Sequence, residues 1–141
     1  MSLTNPYAQY RTNSVETASP TRLVVMLYDG AIRFLNQALP EMRALHLENQ
    51  SLYIGKAQAI IAHLRGTLDF EAAPAISNQL SALYVQIYDS LTLANVYDKP
   101  EKVEEAIAAL RSLREAWLEV DKQCQAGKAA LTGGSRELIA A

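Results

Sequence analysis

Two adjacent lines of apolar side chains run through residues 23–39 at helical spacing. Leu23, Leu27, Ala31, Phe34 and Ala38 form one line, and Val24, Tyr28, Ile32, Leu35 and Leu39 the other. Positions three and four apart share a face of an α-helix, so this stretch reads as helix. Two lines cover more than half of its circumference, which places the helix at the centre of a bundle or beneath a partner. Ser19 and Pro20 mark its start. A serine oxygen can accept from an orphan backbone N–H, and proline at the first helical position loses no needed donor. Pro40 is expected to end or kink the helix near Leu39, because it removes a donor and crowds the preceding turn.

Three more helices follow. The second is expected over about residues 49–67, with Tyr53, Ala57, Ile60, Ile61, Leu64 and Leu68 on one side. Pro74 restarts the chain for a third that carries Ile76, Leu80, Leu83, Ile87, Leu91 and Ala94, with Tyr84 and Tyr88 beside them. Asp98-Lys99-Pro100-Glu101 reads as an acidic cap and early proline for a fourth, whose inward line is Val103, Ile107, Leu110, Leu113, Trp117, Val120 and Cys124. Six glycines and five prolines in 141 residues leave little turn punctuation for strands. The pattern predicts an all-α, antiparallel four-helix bundle over residues 19–126. Residues 1–18 would form an extended arm, and 127–141 a flexible or weakly helical tail with a short C-terminal helix at most.

Several function classes fall away. A formal charge of −2 argues against binding nucleic acid through phosphates. The lone Cys124 can make no internal disulfide and suits a small apolar place in the core. The longest apolar run, Leu23 to Tyr28, is too short to span a bilayer. Residues 1–11 lack a secretory pattern, so a soluble cytoplasmic protein is expected, with no membrane insertion. No catalytic, metal or cofactor constellation is apparent. Glu41 and His46 are five apart and are expected to point in different directions, and Asp29 is expected to pair with Arg33 one turn on. The run His63-Leu64-Arg65-Gly66 resembles the phosphoacceptor helix of histidine phosphotransfer bundles. Its Arg and Gly come one residue early, and one residue rotates a side chain by about 100°. A phosphorelay on His63 therefore stands as the weaker alternative, beside a generic helical adaptor.

The aromatic set is seven Tyr against two Phe and one Trp. Tyrosine tolerates both water and an apolar partner, because its ring is apolar and its hydroxyl solvated. Together with the doubled lines of the first and third helices, this exceeds what one bundle core needs. It points to a surface that a partner covers.

Asn5-Pro6-Tyr7-x-x-Tyr10, Ser19-Pro20-x-x-Leu23 and Met26-Leu27-Tyr28-Asp29-Gly30-Ala31 resemble the flagellar secretion chaperone FliS family. The likeness continues through Ile60-Ile61, Leu68-Asp69, Leu83-Tyr84, Ala94-Asn95 and Glu115-Ala116-Trp117. The resemblance implies a non-enzymatic cytoplasmic chaperone that binds the disordered C-terminal segment of flagellin. Binding would prevent premature polymerisation and bring the segment to the flagellar type III export apparatus. It also implies that Tyr7 and Tyr10 cap the binding groove or contact an export-gate protein. The groove itself is expected at Leu80, Tyr84, Ile87, Tyr88 and Leu91 of the third helix, with Ile54, Ile61 and Leu64 opposite.

Overall fold

The computed structural model describes the backbone of residues 19–140 and the side chains of residues 19–124. Four helices follow one another: α1 (Pro20–Arg43), α2 (Leu47–Gly66), α3 (Pro74–Tyr97) and α4 (Pro100–Ala140). In α1 the Ser19 side chain accepts from the Arg22 N–H, and Pro20 occupies the first turn. Polar contacts across the long axis fix the directions. Ser19 at the start of α1 meets Asp121 midway along α4, and Arg43 at its end meets Glu104 early in α4. Gln50 early in α2 reaches Asn95 late in α3, and Arg65 reaches Ser81. Both pairs therefore run antiparallel. Helices α1 and α3 lie diagonally, each flanked by α2 and α4.

The core fills with the inward residues of all four helices, among them Leu35, Ile60, Leu91 and Leu110, none of them exposed. Burying each such side chain contributes about 1.5–3 kcal/mol.

Four local expectations are corrected. Pro40 lies inside α1, which continues to Arg43. The final turn closes through the Ala44 N–H to the Pro40 carbonyl at 3.0 Å, and burial of Leu39 and Met42 holds it against the core. Asp98 is the left-handed C-cap of α3, with φ 55°, rather than an N-cap for α4. Aspartate tolerates that region, and its carboxylate accepts from Gln50 Nε2 at 2.8 Å. On α4, Val120 and Cys124 are exposed while Asp121 is buried. Asp121 faces the start of α1, where it accepts from Ser19 Oγ and Thr21 Oγ1, each at 2.6 Å. The positive end of a helix favours a carboxylate there over an apolar side chain. Finally, the backbone of α4 runs on through Gly127 and Gly133 to Ala140.

Gly55 lies mid-helix on the exposed side of α2, and a Cβ added there would meet no atom within 4 Å. Gly55→Ala should therefore raise unfolding stability by about 0.5–1 kcal/mol, read as a higher urea midpoint at unchanged m-value.

Candidate partner-binding surface

Helix α3 departs from the pattern of a surface helix. Over residues 74–97 it carries one charged side chain, Asp89. Among the described residues, seven of the twelve exposed large apolar side chains lie on it, including Ile76 (59% exposed), Leu83 (42%) and Tyr88 (39%). They surround the helix instead of forming one inward stripe. Water-facing apolar groups at this density on a single helix make it a candidate interaction surface.

Both flanks of α3 are open. A groove of about 330 Å³ runs between α3 and α4, bordered by Leu83, Ile87, Ala106, Ala109 and Leu113. A second, also about 330 Å³, lies between α2 and α3 over Ile61, Ala62, Tyr84, Val85 and Tyr88. A larger cleft of about 490 Å³ opens where the start of α3 meets α1, α2 and α4, lined by Leu23, Leu27, Leu68, Ile76, Leu80 and Trp117.

The groove residues expected from sequence divide on this surface. Ile54 and Leu91 have no exposed area and border none of these three openings, so they sit within the core. Ile61, Leu64, Tyr84 and Ile87 are also buried, yet they form the floors of the openings. Leu80 is half-buried and Tyr88 exposed. Helical periodicity picks out what faces inward, and a groove shows only the edges of those side chains. The rims escaped that reading. Leu83 falls on the apolar line of the third helix and Val85 on none, although the near absence of charge across α3 is a signal for both. Tyr7 and Tyr10 lie outside the described residues.

Under the surface, Tyr28 of α1 and Tyr84 of α3 meet hydroxyl to hydroxyl at 2.5 Å, their ring centroids 6.4 Å apart. Trp117 of α4 borders the same cleft as Tyr84, and its indole N–H, which can only donate, acts to lower both phenol pKa values. Burial raises the pKa of both phenols, and for Tyr28 the neighbouring Tyr84 adds to the rise. For Tyr84 the hydrogen bonds from Tyr28 and Trp117 act the other way without overcoming burial. Helices α1 and α3 are thus joined by a buried polar pair directly beneath the openings.

The other polar residues singled out in the sequence make structural contacts. Asp29 pairs with Arg114 of α4 instead of Arg33, tying α1 to α4. Glu41 and His46 do meet, with Oε2 to Nδ1 at 2.7 Å, because the chain reverses through left-handed Leu45 at φ 58°. His63 is exposed on α2 at the edge of the larger cleft. No described helix is long and apolar enough to cross a membrane.

Comparison with known proteins agrees with this architecture. A solved structure described as a flagellar chaperone from bacteria superposes with a TM-score of 0.70 at 15% identity, covering 83% of this chain and 95% of that one. The flagellar secretion chaperone FliS of Campylobacter jejuni is 33% identical over 81% of this chain and 89% of its own length. The Bacillus subtilis protein of the same name is 32% identical over 83% and 86%, and that of Salmonella typhimurium 36% over 81% and 86%. The family model described as flagellar protein FliS matches residues 3–124. A chain matched over that span, with an all-α four-helix fold, belongs to the FliS family of flagellar secretion chaperones.

Proposed function

We propose that the chain binds the disordered C-terminal segment of flagellin in the cytoplasm, shields it from premature polymerisation and brings it to the flagellar export apparatus. The observation that carries this reading is α3, an apolar helix with a single charge, exposed between two open grooves. A disordered segment gives up several kcal/mol when it orders, so it needs contact along a long surface. Short helices laid in successive grooves provide that. The segment covers the α2–α3 groove, the α3–α4 groove and the larger cleft, resting on the edges of Ile61, Leu64, Leu80, Tyr84, Ile87 and Tyr88. The arm that carries Tyr7 and Tyr10 joins the bundle at Ser19, next to the cleft that Pro20 borders. Its tyrosines either cap that cleft or meet an export-gate protein. No catalysis is involved.

Mixing the purified chain with the cognate flagellin C-terminal segment tests the reading. A stoichiometric complex should elute ahead of either component in size exclusion. Separate elution at micromolar concentration would exclude it.

A further inference from the structure

The α2–α3 groove has an apolar floor and a charge at each end. Arg65 Nε donates to Ser81 Oγ at 3.0 Å, which fixes the guanidinium at the level of Ser81. At the other end, Gln58 Nε2 donates to the Tyr88 carbonyl at 3.0 Å, and Asp89 follows directly. Between them lie Ile61, Ala62, Tyr84, Val85 and Tyr88. Arg65 and Asp89 are both exposed, and neither joins an ion pair among the described residues. Every other charge is missing from α3, so Asp89 is the only fixed negative charge that helix supplies. From Ser81 to Asp89 is eight residues, about 12 Å or two turns along α3.

We infer that this groove takes one amphipathic helical stretch of its client in a fixed register. An acidic client side chain stands against Arg65, and a basic one about two turns away stands against Asp89. The inference rests on the client-binding reading above and specifies its register. Apolar contacts along the floor favour any greasy helix equally and do not fix its position along the groove. Two opposite charges at a set spacing do, because a shifted register leaves both charges unmatched and the reversed helix places like charges together. Seven residues of client helix return a side chain to nearly the same face, so the matching acid and base should sit seven or eight positions apart.

Arg65→Glu and Asp89→Lys test this with the flagellin C-terminal segment as probe. Each single reversal should weaken binding about five- to tenfold at low salt, and the difference should shrink to under about twofold at 0.5 M salt. Both positions are exposed, so the circular dichroism spectrum should not change. Reversing the charged residues of the segment one at a time should then identify one acid that rescues Arg65→Glu and one base that rescues Asp89→Lys, seven or eight residues apart. Unchanged affinity in both variants, or rescue at unrelated spacing, overturns the register while leaving the chaperone reading intact. Failure of the unaltered chain to bind the segment overturns both. If the chain alone self-associates and the reversals abolish that, the groove belongs to a second copy and the inference is wrong.

Discussion

Tyr84→Ala should lower unfolding stability by about 3–5 kcal/mol, which is a large part of what a domain of this size possesses. The Tyr84 ring is buried at 1% exposure in the middle of α3, its hydroxyl meets Tyr28 from α1, and Trp117 of α4 borders the same cleft. Truncation removes the ring and also strands the Tyr28 hydroxyl in a place water does not reach. Tyr84→Phe separates the two effects. It keeps the ring and should cost about 1–2 kcal/mol, the penalty for buried polar partners left unsatisfied. Urea denaturation of both variants measures the difference, and a Phe variant as damaged as the Ala variant would contradict the packing account. The pair also sets a pH dependence. Burial raises both phenol pKa values above that of an unfolded tyrosine, near 10. Below pH ~10 both groups are protonated in both states and contribute no slope. Above it the unfolded chain releases protons first, so stability should fall by up to about 1.4 kcal/mol per pH unit for each buried phenol. Tyr84→Phe should remove one of the two contributions.

That network marks the limit of what was legible in the sequence. The helices and their starts were readable because Ser19-Pro20, Pro74 and Pro100 lie where chain direction changes, and because apolar spacing of three and four has one simple cause. The cross-helix partners were not readable. Asp29 could be matched with Arg33 from spacing alone, but its actual partner Arg114 is 85 residues away. No local spacing marks Asp121 as inward-facing, and only the antiparallel return of α4 past Ser19 turns it inward. The surface was half legible. The apolar excess was visible in composition and in the doubled lines, yet the same periodicity that revealed it pointed to the groove floors. Ile54 and Leu91 look no different from Leu83 on a helical wheel. Which of them faces water depends on how far apart α2, α3 and α4 stand, and no local pattern encodes that distance.

Leu83→Asp and Tyr88→Asp should each weaken capture of the flagellin segment by roughly 30- to 100-fold, and together by far more. Leu83 borders the α3–α4 groove and Tyr88 the α2–α3 groove, so the two replacements probe opposite flanks of one helix. Each removes an apolar contact and puts a charge where the client would exclude water, a loss of about 2–3 kcal/mol. Both residues already face solvent, at 42% and 39% exposure, so the free bundle should keep its helicity and most of its stability. Asp in place of Tyr84 or Ile87 cannot serve this purpose, because at 1% and 7% exposure the charge would enter the core and unfold what it was meant to probe. The double variant distinguishes two arrangements. A segment that wraps both flanks engages two separate contacts, and the free-energy losses should add because the sites share no partner. A segment confined to one groove would leave one single variant at full affinity, and the double variant would then bind no worse than the other. Titration calorimetry on the three proteins reads the answer directly, and full affinity in both single variants would remove α3 from the binding surface altogether.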